Sequence, residues 1–286
     1  MEIKLVPAES KHVNELGRIC FEAFKSIHDR HAFPRDFPTL ESALKAIDML
    51  VHSEEFYGVV ALIDGRPVGS NFLSLMDSVA GVGPITVDPG CQTRGIGRAL
   101  MKDVVDYARN NKMQQVRLLQ DSFNMASLSL YSSLGFNVKE TVVLMEAAPS
   151  AKADKSVRPV AQADLPAIEE LSRRIYKVSR RDEVAFAHQN GFPIFLREKG
   201  GRVTGYSMPG LFGHSVAETE EDAISLIGES VRALQPESSL FFCPLREPEL
   251  YRKALGAGCR ALKVMNLMTI GPYDPPDEFW MPSVLY

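Results

Sequence analysis

Residues 83–111 read GPITVDPGCQTRGIGRALMKDVVDYARNN, and this stretch decides the fold of the first half of the chain. The β-branched run at 85–87 predicts a short strand, which the Pro-Gly pair at 89–90 ends. Gly95 and Gly97 close the loop that follows, and apolar residues then recur at helical spacing. The segment therefore predicts a strand, a glycine-rich loop and an amphipathic helix in succession.

Such a loop can bind a phosphate group. Glycines allow the backbone to approach a ligand closely, and the start of a helix adds N–H groups and the positive end of its dipole. Arg94 and Arg98 supply further positive charge. A P-loop would need Lys and Ser or Thr after Gly97, and a dinucleotide fingerprint would need a glycine where Leu100 stands. Both alternatives fail, and the loop predicts a pyrophosphate site.

The stretch resembles the signature of the GCN5-related N-acetyltransferases, the GNAT family, which is [QR]-x-x-G-x-[GA] after a strand that ends in V-x-P. Here V-D-P at 87–89 precedes Q-T-R-G-I-G at 92–97. Downstream, the family shows an Asn, a Tyr seven residues later and then a Gly-Phe pair. This chain has Asn124, Tyr131 and Gly135-Phe136. Two motifs at the right separation identify the first half as a member of the family.

The resemblance implies acetyl-coenzyme A as acyl donor, bound where two parallel strands of the sheet splay apart. The loop at 92–98 would hold the pyrophosphate, and the strand before it would pair with the pantetheine amides. Asn124 and Ser127 would contact the pantetheine arm, and Tyr131 would direct its hydroxyl at the sulfur. The implied cofactor contacts are Ile85, Thr86, Val87, Gln92, Thr93, Arg94, Gly95, Ile96, Gly97, Arg98, Asn124, Ser127 and Tyr131.

The implied chemistry is the attack of an amine on a thioester carbonyl, which needs a neutral amine and a proton for the leaving thiolate. Tyr131 suits the second role, although a tyrosine on an amphipathic helix is also an ordinary core residue. Many family members carry a glutamate on the strand before the loop, but residues 79–86 hold no carboxylate. Asp121, at the end of the neighbouring strand, is the candidate base. Water, His28 or His31 are alternatives, as is unassisted attack by an amine that arrives neutral.

The substrate pocket of the family lies between the first helices and the sheet, which here corresponds to SIHDRHAFPRDFPTLE at 26–41. Its His28, His31 and Asp36 are the predicted substrate contacts. Asp36 would attract a cationic amine, whereas Arg35 would equally suit a substrate carboxylate. A solvated surface loop is the alternative interpretation.

The second half repeats the plan of the first. A strand and an amphipathic helix at 3–24 recur at 157–178, and the element G-R-x-x-G, typical of a hairpin, occurs at 65–69 and 201–205. The predicted fold is α/β, with two tandem GNAT-like domains. Each is a mixed, mostly antiparallel sheet flanked by helices, with a splayed central strand pair. Domain boundaries are expected at 1–147 and 157–286 with a linker at 148–156, and the proline-rich tail after residue 270 is expected to be irregular.

The second half lacks the phosphate loop. At the corresponding joint the sequence reads GHSVAETEEDAISLIGESVRAL, and four carboxylates stand where the glycines were: Glu218, Glu220, Glu221 and Asp222. They would repel a pyrophosphate. The second domain is therefore predicted to be degenerate and not to bind coenzyme A.

Composition limits the function further. The chain has 286 residues, a formal net charge of -4 and no cluster of Lys and Arg, so a nucleic-acid partner is not expected. The four cysteines form no C-x-x-C pair or metal-type spacing, which indicates free thiols, no metal site and a reducing, cytoplasmic location. No apolar run is long enough for a membrane span. Cys91 is discounted as an acyl carrier because it lies in the phosphate loop.

The predicted function is acetyl-CoA-dependent N-acetylation of a primary amine, on a small molecule or a peptide, by direct transfer in a ternary complex. The alternative is a non-catalytic acetyl-CoA sensor. Whether the protein is a monomer or a homodimer is left open.

Overall fold

The protein forms two compact units in the computed structural model. One comprises Met1–Asn137 with Thr269–Gly271, and the other comprises Val138–Met268 with Pro272–Tyr286. The structure describes residues 2–148, 153–233 and 239–285. No helix in these ranges is both long and apolar enough to cross a membrane.

The first unit alternates helices with short strands. In chain order its elements are β1 (Lys4–Pro7), α1 (Val13–His31), α2 (Leu40–His52), β2 (Phe56–Ile63), β3 (Arg66–Ser74), β4 (Val79–Gly81), β5 (Thr86–Val87), α3 (Ile96–Asn110), β6 (Gln115–Asp121) and α4 (Met125–Ser133). The strand and the helix fall where the sequence predicts them around the glycine-rich segment, and α3 begins at Ile96, so that Gly97 lies in its first turn and not in the preceding loop.

Strands β1, β2, β3 and β5 form an antiparallel sheet in that order. Successive residues of a strand point to opposite faces, and β3 shows what each face covers. Phe72 packs with apolar residues of α1 and α2 in one core cluster, whereas the adjacent Asn71 donates a hydrogen bond to the Leu100 carbonyl of α3. Helices therefore cover both faces of this sheet.

The predicted splay of two parallel strands is present in the first unit. Strand β4 pairs with β6 in parallel, with Val79 opposite Gln115 and Gly81 opposite Arg117. Beyond that point the paths separate, because β5 joins β3 while β6 continues to Asp121. The sheet is thus open between β5 and the end of β6.

The second unit repeats this element order with shorter pieces. It contains β7 (Asn137–Glu146), β8 (Val157–Pro159), α5 (Leu165–Tyr176), α6 (Arg181–Gln189), β9 (Phe195–Lys199), β10 (Arg202–Ser207), β11 (Ser215–Ala217), α7 (Glu220–Ala233), β12 (Leu240–Pro244), α8 (Pro248–Gly256), β13 (Arg260–Ile270) and β14 (Phe279–Met281). One sheet has the order β14-β11-β10-β9-β8, and β7 lies between β12 and β13.

Both predicted glycine hairpins are confirmed. Strands β2 and β3 pair antiparallel across a turn at Asp64 and Gly65, whose φ angles are 49° and 78°. Strands β9 and β10 do the same across Gly200 and Gly201, with φ angles of 58° and 74°. These backbone angles favour glycine, which explains why the element recurs.

The expectation of an irregular tail is wrong for three residues. Phe279–Met281 form β14, which pairs with β11 and places Trp280 opposite Val216. Trp280 is fully buried and meets Tyr176 edge to face at 5.4 Å. The apolar side chains of the tail decided its conformation, whereas the sequence argument gave most weight to its prolines.

The division between the units falls after Asn137, the first residue of β7, whereas the polar composition of the linker placed the end of the first domain at 147. The physical reason is the pairing of β7, whose residues from Val142 to Glu146 lie antiparallel to β12. Val143 and Met145 also belong to the core of the second unit. Of the expected linker, residues 149–152 lie outside the described ranges. The assignment of domains at 1–147 and 157–286 stays a prediction.

The second unit buries a charged network. Arg180 pairs with Glu183 and donates to Nδ1 of His214 at 3.2 Å, and all three side chains are at most 7% exposed. Because an arginine only donates, Nδ1 of His214 is an acceptor and Nε2 carries the proton toward the Tyr206 hydroxyl, 2.6 Å away. Burial, together with the Arg180 charge, lowers the pKa of His214 to about 4. The folded unit therefore holds this histidine neutral.

We predict that acidification destabilises this unit through His214. An unfolded histidine with a pKa of about 6.5 binds protons that the folded one excludes, so unfolding becomes easier as the pH falls. The free energy of unfolding should drop by about 2 kcal/mol between pH 7 and pH 5. Urea titrations followed by the fluorescence of Trp280, the only tryptophan, measure it.

The matched variants are His214→Gln, which can accept and donate but does not titrate, and His52→Gln on the exposed face of α2. The pH slope should vanish in the first and persist in the second. A slope that is the same in both variants would contradict the role of His214.

Candidate active site

The glycine loop, residues 92–98, connects β5 to α3. Thr93 and Gly95 have φ angles of 68° and 82°, and Gly95 is the N-cap of α3. Without a side chain, Gly95 cannot cap the helix itself. The first N–H groups of α3 lack intrahelical acceptors and lie at the positive end of its dipole. The predicted geometry of a phosphate-binding loop is therefore present.

An acidic residue beside the loop is neutralised within the fold. Asp88 accepts a hydrogen bond from the Gly90 N–H at 2.9 Å and another from Arg18 of α1, also at 2.9 Å. Although partial burial opposes it, these bonds hold the pKa of Asp88 below its usual value. Arg18 also pairs with Glu15. The start of the loop is thus anchored to α1, and its carboxylate is balanced by a cation.

The loop leaves room for a ligand at its glycines. A Cβ built on Gly95 would meet no described atom within 4 Å, and its positive φ disfavours a side chain there. A Cβ on Gly97 would lie 3.4 Å from Leu130 and 3.9 Å from Val87, which is ordinary contact. Arg98 donates to Ser133 at 2.9 Å. These residues fit a pyrophosphate approached by backbone N–H groups.

The joint between β6 and α4 brings the second motif together. Asn124 is the N-cap of α4, and its Oδ1 accepts from the Ser127 N–H at 3.2 Å. The Ser127 hydroxyl donates to the Asn124 carbonyl at 2.9 Å. The side chain of Gln120, only 2% exposed, donates to the same carbonyl at 2.9 Å and to the Ser127 hydroxyl at 3.0 Å. Gln120 was missed in the sequence, where a polar residue at a strand position was its only signal.

Tyr131 lies on α4 and is 8% exposed. Burial raises the pKa of its hydroxyl, and the negative charge of Asp121 raises it further. The phenol therefore stays protonated at neutral pH and can donate its proton to a stronger base.

The structure places two predicted substrate residues beside Asp121. Nε2 of the fully buried His28 lies 3.6 Å from a carboxylate oxygen of Asp36 and 3.6 Å from one of Asp121. One donor atom from each residue lies within 4.8 Å of the others, close enough for all three to contact one small cation. We call this set the His28 cluster: His28, Asp36 and Asp121. The expectation that the protein uses no metal stays a prediction.

The third predicted substrate residue, His31, is placed differently. It is exposed at the end of α1, and its ring lies 5.1 Å from that of Phe123. Arg35, the alternative contact for a carboxylate, makes two hydrogen bonds of 2.7 Å to Asp29. Arg35 is thus engaged with a neighbour, and the charge that faces His28 from this segment is Asp36.

In the second unit, the helix that corresponds to α3 is α7, and side chains of the protein form hydrogen bonds at its N-terminus. The Thr219 hydroxyl accepts from the Asp222 N–H at 3.1 Å and donates to the Asp222 carboxylate at 2.7 Å. Arg197 donates to the same carboxylate at 2.8 Å. Protein side chains therefore occupy the end of α7. This supports the prediction that the second unit binds no coenzyme A.

Comparison with known proteins gives the family. Residues 20–136 match the model of the acetyltransferase (GNAT) family. This part of the chain belongs to the GNAT family. An uncharacterized N-acetyltransferase of Methanocaldococcus jannaschii is 34% identical over 90 residues, which span 29% of this chain and 40% of that protein. The chain thus covers less than two thirds of this relative's length.

Solved structures share the architecture of the whole GNAT chain. A Pyrococcus horikoshii protein assigned to the acetyltransferases has a TM-score of 0.78 at 16% identity, with 97% of this chain and 92% of that chain covered. A tandem GNAT protein from the clavulanic acid biosynthesis pathway has a TM-score of 0.58 at 16% identity, with 96% and 100% covered. At these identities the likeness shows the fold, and the predicted tandem GNAT architecture is confirmed.

We predict that Asn124→Ala destabilises the first unit by about 1 kcal/mol, because it removes the N-cap of α4. Asn110→Ala, at an exposed position of α3, is the control and should change stability by less than about 0.5 kcal/mol. Urea unfolding followed by far-ultraviolet circular dichroism measures both. Equal stability of the two variants would show that the cap contributes little.

Proposed function

We propose that this GNAT protein is an acetyl-CoA-dependent N-acetyltransferase that acts on a primary amine of a small molecule or peptide by direct transfer in a ternary complex. One observation carries the proposal. The glycine loop and Tyr131 lie on the two elements, α3 and α4, that follow the separated strands β5 and β6. A ligand that runs between those strands would meet a phosphate-binding loop and a buried proton donor.

The residues fit coenzyme A at three points. Backbone N–H groups of the glycine loop would hold the pyrophosphate, with Arg94 and Arg98 adding charge. The edge of β5, with Ile85 just before it, would pair with the pantetheine amides. Asn124 and Ser127 would line the arm through polar groups that their capping bonds hold in fixed orientations. When bound, acetyl-coenzyme A supplies a thioester carbonyl as the electrophile.

Tyr131 is the proposed acid. The C–N bond would form as the C–S bond of the thioester breaks. The electron pair of the C–S bond would go to sulfur, and the Tyr131 hydroxyl would give its proton to the resulting thiolate. The tyrosinate is neutralised by one of the protons that the attacking nitrogen loses. The raised pKa keeps the phenol protonated at neutral pH but also makes it a weaker acid. The transfer to sulfur therefore depends on the proton that the nitrogen returns to the tyrosinate.

Asp121 is the proposed carboxylate on the side of the amine. It ends β6, its negative charge raises the pKa of Tyr131, and one of its carboxylate oxygens lies 3.6 Å from Nε2 of His28. The rival function, a sensor that binds acetyl-CoA without turnover, is motivated by the lack of a carboxylate at 79–86. The His28 cluster supplies carboxylates from other elements, which favours the enzyme.

We predict that acetyl-CoA stabilises the protein. At about 100 times its dissociation constant, a ligand adds roughly 2.7 kcal/mol to the free energy of unfolding. This should raise the melting temperature by several degrees. Gly97→Asp should abolish the shift, because a carboxylate at the start of α3 repels phosphate. Gly97→Ala, whose methyl group fits, should retain much more of it. A shift that survives Gly97→Asp would place the cofactor elsewhere.

We predict that Tyr131→Phe lowers kcat by 10-fold or more and changes the affinity for coenzyme A by less than threefold. Phenylalanine fills the same buried space but has no proton to give. Single-turnover rates measured by thiol release, together with calorimetric binding of coenzyme A, separate the two effects. A loss of affinity with an unchanged rate per bound cofactor would remove Tyr131 from the role of acid.

A further inference from the structure

The His28 cluster has a defined direction of hydrogen bonding. Nδ1 of His28 lies 2.8 Å from the carbonyl oxygen of Phe24, one turn earlier on α1. A carbonyl oxygen only accepts, so Nδ1 carries a proton and donates it. Nε2 is then the nitrogen that faces Asp36 and Asp121. In the neutral ring Nε2 has a lone pair and is an acceptor. Nε2 and one carboxylate oxygen each of Asp36 and Asp121 are then three acceptors around one position.

Three converging acceptors match a primary ammonium group. Such a group has one positive charge and three N–H donors, as the lysine side chain does. Hydrogen bonds to nitrogen are about 2.9 Å long. Acceptors within 4.8 Å of one another, such as these, can therefore be reached together by one nitrogen. A quaternary ammonium carries the same charge but has no N–H to offer.

Two aromatic rings pack against His28, and two more pack against those rings. The ring of Phe24 lies 5.9 Å from that of His28, and the ring of Phe123 lies 5.7 Å from it. Phe33 stacks on Phe123 at 4.3 Å, and Phe37 meets Phe24 edge to face at 5.1 Å. Aromatic faces attract a cation and exclude water from its hydrocarbon neighbours. The surroundings suit an ammonium attached to an apolar group.

We infer that the His28 cluster binds the acceptor as its primary ammonium ion and that Nε2 of His28, rather than Asp121, takes the first proton from it. This inference rests on the proposed function. Asp36 and Asp121 accept the two remaining N–H groups. The N–H bond to His28 breaks, an Nε2–H bond forms, and the electron pair left on nitrogen attacks the acyl carbon.

The chemistry of the two side chains favours histidine as the proton acceptor. Nδ1 of His28 already carries a proton, which leaves Nε2 as the nitrogen of the ring that can accept another. The imidazolium that forms lies between two carboxylates at 3.6 Å, which stabilise its charge.

Binding of phenethylamine tests the recognition step. Calorimetry at pH 7 with the full chain and saturating coenzyme A should show that Asp36→Asn and Asp121→Asn each weaken binding at least 10-fold. Asp29→Asn removes a carboxylate from the same segment, but one that pairs with exposed Arg35, and should change binding by less than twofold. Phenethyltrimethylammonium and 2-phenylethanol should each bind at least 10-fold more weakly than phenethylamine.

Several results would overturn the recognition step. Equal binding of phenethylamine and its trimethylated analogue would mean that the site does not form hydrogen bonds with the N–H groups of the ligand. Equal effects of Asp29→Asn and Asp36→Asn would mean that the cluster is not the site. A melting shift with Zn²⁺ that Asp36→Asn abolishes, together with failure to bind phenethylamine, would make the cluster a metal site.

The kinetics of His28→Asn test the proton transfer. Asparagine can keep the bond to the Phe24 carbonyl but has no basic nitrogen. For acetylation of phenethylamine, kcat should fall at least 100-fold, and KM for the amine should rise no more than it does in Asp36→Asn, since each variant loses one acceptor. A kcat reduced less than threefold would assign the proton to another group.

Coenzyme A binding, measured on every variant, separates the proposed function from the inference about the His28 cluster. If acetyl-CoA does not raise the melting temperature of the unmutated protein, the proposed function is wrong. If acetyl-CoA raises it but phenethylamine does not bind, only the present inference is wrong.

Discussion

The structure of the first unit depends on the separation of two parallel strands. Hydrogen bonds join β4 to β6 as far as Gly81 and Arg117, after which β5 pairs with β3 and leaves the end of β6 open on that side. Open strand edges present N–H and C=O groups that require partners. Both helices that follow the separated strands begin at this opening, and each carries one of the two motifs.

The two ends of the opening carry opposite electrostatic character. At the end of β5 the glycine loop presents N–H groups, a helix dipole and two arginines, while Asp88 is balanced by Arg18. At the end of β6 the His28 cluster presents two carboxylates. An anionic donor and a cationic acceptor would therefore be drawn to different ends. Charge alone would orient the two reactants before any specific contact forms.

The sequence predicted the parts of this arrangement that are local. A glycine at the N-cap, a β-branched strand and an Asn that begins a helix each follow from a few adjacent residues, and they are found where expected. The His28 cluster could not be assembled in the same way, because its members come from α1, the following segment and the end of β6. Sequence analysis named all three residues but did not show that they meet. Gln120 escaped altogether, since its buried hydrogen bonds depend on a turn that the strand pattern does not reveal.

The second unit shows which features the sequence repeat predicted and which it did not. Its hairpin and its acidic helix start were visible in the sequence. The path of β7 was not, because pairing between distant strands leaves no local pattern, and composition placed the boundary at a polar stretch instead.

That path has a consequence for synthesis on the ribosome. Strand β7 leaves the ribosome directly after the residues of the first unit, but its partner β12 follows roughly a hundred residues later. At about 5 to 20 residues per second, β7 waits on the order of 5 to 20 s with an unpaired edge. Its apolar residues, TVVLM at 141–145, are then a segment that a chaperone would recognise or that a second nascent chain could capture.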